Sequence, residues 1–140
     1  MPRIERTAEV VWEGNVARGS GRLSGATGAF TELPFSLPTR IGKAEGKTSP
    51  EELLAAAHGG CLAMSLASEL TEAGTPPSRL EVSCRIVMDE VEGKGHQIVA
   101  SQVTIGGDAV PDEVVERADA GCPFSQLLRN AGVEVTISRA

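Results

Sequence analysis

Tyrosine is absent from this 140-residue chain, and its aromatic residues are Trp12, Phe30, Phe35 and Phe124. So few rings leave little material for stacking bases, sugars or flavins. Basic residues are also in short supply: 13 Lys and Arg stand against 19 Asp and Glu, for a formal charge of -6. Without a basic cluster to override that balance, the chain is not expected to bind nucleic acid. A long uninterrupted apolar run is missing too. The most apolar segment is broken by His58, Ser65, Ser68 and Glu69, and the opening Met-Pro-Arg-Ile-Glu-Arg lacks the apolar core of a signal peptide. Neither membrane spanning nor export is expected, and the expected location is cytoplasmic. Thiols are kept reduced there, so a disulfide in that compartment is more often catalytic or sensory than structural. Three cysteines and two histidines show no paired C-x-x-C spacing, and His96 lies in a glycine-rich turn. No metal site and no bound cofactor are expected.

What is present fits one domain over residues 1–140, long enough to bury a core without structural disulfides or metals. The first 48 residues mix short apolar runs with glycines, which predicts short antiparallel strands near Arg6–Trp12, Ser20–Leu23 and Leu33–Leu37. Ser49, Pro50 and Glu52 form a helix-start pattern, and Gly74 before Pro76 and Pro77 forms a stop. A helix from Pro50 to Ala73 would run about 36 Å. Its wide spread of apolar residues, including Leu53, Leu54, Ala57, Leu62, Met64, Leu66, Ala67 and Leu70, predicts burial on more than one side. Leu80, Val82, Cys84, Ile86 and Met88 alternate with polar neighbours as in a half-buried strand, Ile98–Ile105 reads as its partner, and Val133, Val135 and Ile137 mark a last strand. Helices are expected over Pro111–Ala120 and Pro123–Asn130, with Gly132 beyond the second. Strands, a long helix, strands, helices and a strand in that order indicate an α+β chain.

Cys61 and Cys122 occupy positions where a fold can tune a thiol, and together they read as a dithiol redox pair. Cys61 follows Gly59 and Gly60, a costly pair inside a helix unless something approaches the backbone there. That something is a substrate or a second helix beside the sulfur, or else the cysteine is a small apolar residue in a packed helix. Cys122 precedes Pro123, so its sulfur can face the unpaired N–H groups of the following helix, which favours a thiolate. A plain N-cap is the simpler account of the same position. Cys84, in phase with core residues, is assigned to packing. His58, three residues before Cys61, is expected to be a hydrogen-bonded histidine near the site or the surface. Arg40 and Glu51 flank the start of the long helix. They are a surface ion pair with a dipole-complementing acid, or else Glu51 orients Arg40 to lower the pKa of a thiol. Ten residues from Glu51 to Cys61 span roughly 15 Å of straight helix, so direct contact along it is excluded.

The segments Ser49-Pro50-Glu51-Glu52-Leu53-Leu54-Ala55-Ala56-Ala57-His58-Gly59-Gly60-Cys61 and Ala120-Gly121-Cys122-Pro123-Phe124-Ser125-Gln126-Leu127-Leu128 resemble the two cysteine motifs of the OsmC/Ohr family of thiol-dependent peroxidases. Thr39-Arg40 ahead of the first motif is similar to the osmotically inducible OsmC branch. The resemblance implies an intertwined homodimer with long central helices between antiparallel sheets and active sites near the subunit interface. It carries the peroxidatic role to Cys61, the resolving role to Cys122 and the activating roles to Arg40 and Glu51. Leu62 and Phe124, beside the motif cysteines, are candidate pocket residues. Cys84 matches no family motif.

The implied chemistry is attack of a Cys61 thiolate on a hydroperoxide O–O bond, giving an alcohol and a sulfenic acid. Cys122 then closes a disulfide, which a dithiol of dihydrolipoyl type or a reducing protein reopens. The resemblance favours organic hydroperoxides over hydrogen peroxide. Two alternatives stay open on the sequence: a redox sensor that uses the same thiols, and a noncatalytic binding protein in which Cys61 is an ordinary thiol.

Overall fold

Short, glycine-punctuated runs in the first fifty residues become a three-stranded antiparallel sheet in the computed structural model, which describes residues 2–140. Strands β1 (Ala8–Glu13), β2 (Ser20–Gly25) and β3 (Leu33–Phe35) lie in that order. Val10 faces Leu23 and Trp12 faces Gly21 across β1 and β2, and Gly21 faces Phe35 across β2 and β3. Gly21 has a packing reason: a Cβ there would stand 2.4 Å from the Phe35 ring and 2.9 Å from Trp12. Its absence lets the two rings meet with centroids 5.6 Å apart. The third strand, expected to continue to Leu37, stops two residues sooner. The Ser36 hydroxyl accepts from the Thr39 N–H at 3.3 Å, and Pro38 stands in the first turn, so the chain folds into helix α1 (Leu37–Ile41).

The chain divides into two compact units, one ending at Pro50 and the other covering Glu51–Ala140. In the second, α2 (Pro50–Glu72) is followed by β4 (Leu80–Val91), β5 (Gly95–Gly107), α3 (Asp112–Gly121), α4 (Pro123–Asn130) and β6 (Glu134–Arg139). The sheet order is β4-β5-β6, with β4 and β5 antiparallel and β5 and β6 parallel. The two helices α3 and α4 make the crossover that a parallel pair requires. Two separate sheets with helices between them in the chain make the architecture α+β, as the order of elements predicts.

Helix α2 is long and apolar enough to cross a membrane by length and composition, with a mean hydropathy of 1.3 in its most apolar window. Its stripe of His58, Leu62, Leu66 and Leu70, spaced four residues apart, is buried instead in the second unit. Leu62 and Leu66 are fully enclosed beside Val103, Ile105, Val114 and Ala118, with Cys61, Val82 and Cys84 packed at the edge. The burial expected on more than one side is not found in the single chain: Met64 is 76% exposed. Alanines and glycines widen the apolar face without filling space, so one stripe carries the packing.

Positive-φ glycines end α2 at Gly74 and follow α4 at Gly132. At Gly107, also with positive φ, a Cβ would stand 2.5 Å from the Arg79 carbonyl oxygen. The glycines before Cys61 differ from each other. A Cβ on Gly59 would lie 3.4 Å from the Cys84 Cβ and 3.7 Å from Val82, whereas nothing is within 4 Å at Gly60. The close approach of α2 to β4 therefore accounts for the first glycine alone. Gly59→Val is expected to destabilise by about 1–3 kcal/mol through overpacking. Gly60→Ala is expected to gain up to about 1 kcal/mol of helix propensity. Urea denaturation midpoints of the two variants test the contrast, and equal shifts would contradict it.

Candidate active site

Cys61 is half-buried on α2, and Cys122 is fully buried at the corner between α3 and α4. The corner follows from local chemistry. Cys122 has extended backbone angles, its N–H donates to the Asp119 carbonyl to close α3, and Pro123 opens α4. Its sulfur caps the new helix by accepting the Ser125 N–H at 3.5 Å. The thiol therefore faces the positive end of α4, as its place before a proline suggested. Around the corner, Ser65 Oγ on α2 donates to the Ala118 carbonyl at 2.7 Å, the Gln126 amide donates to the Ala120 carbonyl, and Arg129 pairs with Asp119.

The two motif thiols are neighbours. Burial pushes the Cys61 thiol above its ordinary pKa and the adjacent Cys122 side chain adds to that effect, while the Phe124 backbone N–H pulls in the opposite direction. All three cysteines are free. The arrangement sets a helix-borne thiol beside a helix-capping thiol. Burial outweighs the help that the Phe124 N–H gives to the Cys61 thiolate.

The other predicted site residues are placed as follows. Leu62 is fully enclosed in the core, and the Phe124 side chain is 36% exposed while its N–H acts on Cys61. Arg40 closes α1 in the first unit, with its N–H on the Ser36 carbonyl. Glu51 stands with Glu52 in the first turn of α2, where its charge complements the helix dipole. Cys84 packs at the core edge as predicted, with its sulfur 3.3 Å from Ser101 Oγ. Among the described residues no group of three or more His, Cys, Asp or Glu could hold a metal ion.

Behind the thiols lies a polar group that sequence reasoning reached only in part. His58 is fully buried, with Nδ1 2.6 Å from Ser101 Oγ on β5 and Nε2 2.8 Å from Ser125 Oγ on α4. It is hydrogen-bonded as expected and lies in the interior. Ser101 and Ser125 were not anticipated. A signal existed for Ser101, a hydroxyl in phase with buried Val103 and Ile105 on β5, and for Ser125, at the third position of a helix capped by Cys122.

A half-buried thiol on a long helix facing a thiol at another helix N-terminus, in an α+β chain, defines a two-cysteine thiol protein. The chain belongs to the OsmC family: the model described as OsmC-like protein matches residues 42–138. It is 35% identical to the peroxiredoxin OsmC of Escherichia coli, over 96% of this chain and 94% of that protein. The fold is that of solved family structures. The organic hydroperoxide resistance protein OhrB of Bacillus subtilis superposes with a TM-score of 0.75 at 23% identity, covering 96% of this chain and 98% of that one. The organic hydroperoxide resistance protein of Elizabethkingia anophelis gives 0.76 at 21% identity, covering 100% and 99%.

Burial lowers the pKa of His58 below its ordinary 6.5, Arg129 on α4 adds to the lowering, and Asp119 on α3 opposes it. The unfolded chain therefore binds this proton more readily than the folded one. The contribution of neutral His58 to stability is present above about pH 6.5 and is lost as pH falls through the lower folded value. Between pH 7 and 5.5, urea midpoints of the wild type are expected to fall, and His58→Gln is expected to flatten that slope. A variant slope equal to the wild type's would assign the pH dependence to other groups.

Proposed function

We propose that this chain reduces organic hydroperoxides to alcohols through Cys61 and Cys122. Membership of the OsmC family and 35% identity to a peroxiredoxin over nearly the whole chain make it a thiol-dependent peroxidase. The observation that carries the finer reading is the juxtaposition of two free thiols, Cys122 inside an apolar cluster and Cys61 at its edge.

In this reading the Cys61 thiolate attacks one oxygen of the hydroperoxide. The O–O bond breaks, the sulfur is oxidised to sulfenic acid, and the other oxygen leaves as the alkoxide, which takes a proton to become the alcohol. The Cys122 sulfur then attacks the sulfenic sulfur, a water leaves, and the disulfide forms. An external dithiol, of dihydrolipoyl type in this proposal, returns both thiols by exchange and is itself oxidised to a disulfide. Cys61 packs against an apolar cluster, and such surroundings suit an organic substituent better than a bare peroxide.

The elevated pKa of Cys61 sets a requirement for the first step, because the thiolate is the nucleophile. Arg40, oriented by Glu51, is proposed to supply a positive charge. The Phe124 N–H offers a dipole and not a full charge, whereas an arginine stays charged at every working pH. A homodimer is part of the same reading. In the first unit the buried residues among those described are Gly21, Ser36 and Thr39, while Val10, Val11, Trp12 and Val16 are exposed. A sheet with no apolar core of its own is completed by burial against another surface, and a second copy of the chain supplies one.

Single-turnover oxidation of the reduced protein with cumene hydroperoxide, followed by mass spectrometry of the cysteine peptides, tests the reading. A Cys61 to Cys122 disulfide is expected from wild type. Cys61→Ser is expected to abolish peroxide consumption, and Cys122→Ser to permit one oxidation and stop recycling; consumption by folded Cys61→Ser would overturn the assignment. Arg40→Ala is expected to raise the apparent pKa of Cys61, read from the pH dependence of iodoacetamide alkylation. An unchanged curve would remove Arg40 from the site.

A further inference from the structure

The His58 ring touches neither motif sulfur in the contacts above, yet it joins the elements that carry both. Its protons can be counted. A serine hydroxyl has one hydrogen, and a neutral imidazole has one N–H. If Nδ1 carries the hydrogen, it donates to Ser101 Oγ, the Ser101 hydroxyl donates to Cys84 Sγ at 3.3 Å, and the Ser125 hydroxyl donates to Nε2. Every N–H and O–H hydrogen then has an acceptor, and the hydrogen left over is the weakly donating Cys84 S–H. If Nε2 carries the ring hydrogen, Ser125 accepts, and its own buried hydroxyl hydrogen lacks an acceptor among these contacts. The cost of leaving such a group unpaired selects the Nδ1–H tautomer. Cys84 thereby serves as the terminal acceptor of the chain Cys84, Ser101, His58, Ser125.

Ser125 is used twice. Its hydroxyl binds His58, and its backbone N–H binds Cys122 Sγ. One residue earlier, the Phe124 N–H acts on Cys61, which stands three residues beyond His58 on α2. We propose that His58 is a positioning residue for the two thiols: through Ser125 it fixes the first turn of α4, and with it Cys122, opposite Cys61. This rests on the two-thiol peroxidase reading and deepens it. The rest of α4 is held independently by the Asp119–Arg129 ion pair, by Gln126 on the Ala120 carbonyl, and by Leu128 in a cluster with Val133 and Val135. Loss of the His58 bond therefore displaces the first turn without undocking the helix.

The test reads thiol geometry without reference to peroxide. Full-length wild type, Ser125→Ala, Ser125→Thr and His58→Gln are equilibrated in dithiothreitol redox buffers, and the Cys61 to Cys122 disulfide is quantified by alkylation and peptide mass spectrometry. The effective concentration of the pair is expected to fall about fivefold to tenfold in Ser125→Ala and in folded His58→Gln, and to return in Ser125→Thr, the change that loss of one hydrogen bond produces. Thermal melts run alongside. A lower melting temperature in Ser125→Ala with unchanged effective concentration would make the contact purely structural and overturn the proposal. So would a wild type that forms no Cys61 to Cys122 disulfide in these buffers. Failure of the peroxidase reading would appear separately, as wild type that forms the disulfide in dithiothreitol and consumes no cumene hydroperoxide.

Discussion

An imidazole buried with a hydroxyl on each nitrogen is the constraint on which the second unit depends. Burying an amide-like or imidazole group without partners costs several kcal/mol on transfer scales that allow no hydrogen bonds. His58 avoids that cost only if α2, β5 and α4 arrive in one register, because its two serines come from the sheet and from the last helix. Leucines of the α2 stripe tolerate small sliding, since apolar contact is not directional. A pair of hydrogen bonds at 2.6 and 2.8 Å does not. The apolar stripe thus supplies the bulk of the stabilisation, and the polar group selects the position.

That selection bears directly on the thiols. Cys61 is one turn beyond His58, and Cys122 is three residues before Ser125. Both sulfurs are therefore tied by short stretches of helix to the same ring. A disulfide requires its Cα atoms within about 7 Å and a narrow range of torsions, so two thiols on separate helices form one readily only when the helices cannot drift. The electrostatics point in the other direction. Enclosure that fixes the pair also desolvates Cys61 and raises its pKa, with the Phe124 N–H as the opposing influence. Geometry and acidity thus pull against each other within the Glu51–Ala140 unit: the enclosure that holds the sulfurs also disfavours the charged form of Cys61.

How far the sequence announced this differs from element to element. Helix α4 was legible to the residue, Pro123–Asn130, because both of its ends carry strong local signals, a cysteine–proline start and Gly132 beyond the finish. The β4 strand was legible from its period of two, although it runs three residues further, past a bulge at Val87 and Met88. Helix α1 was missed because Leu33–Leu37 reads as a continuous strand, while the local signals against it were one capping serine and a proline. The site was readable where chemistry is local in the chain, at Cys61 and Cys122. It was not readable where partners are 43 and 67 residues from His58, since no spacing rule links a helix histidine to a strand serine and a helix-cap serine.

The place of Cys84 follows from the same network. Its sulfur accepts from Ser101 and lies 3.8 Å from His58 Nδ1, so the third thiol closes a polar chain whose other end is the cap of α4. Sulfur is a weak acceptor and a good apolar neighbour, and both properties are used. Beside it, Gly59 lets α2 come so close that a Cβ there would stand 3.4 Å from the Cys84 Cβ. A larger residue at position 84 would press on that helix directly behind Cys61, and an aliphatic one would leave the Ser101 hydroxyl without this acceptor. A small side chain with a lone pair satisfies both demands. Cysteine at this position is thus explained by packing and hydrogen-bond direction, with no redox role required of it.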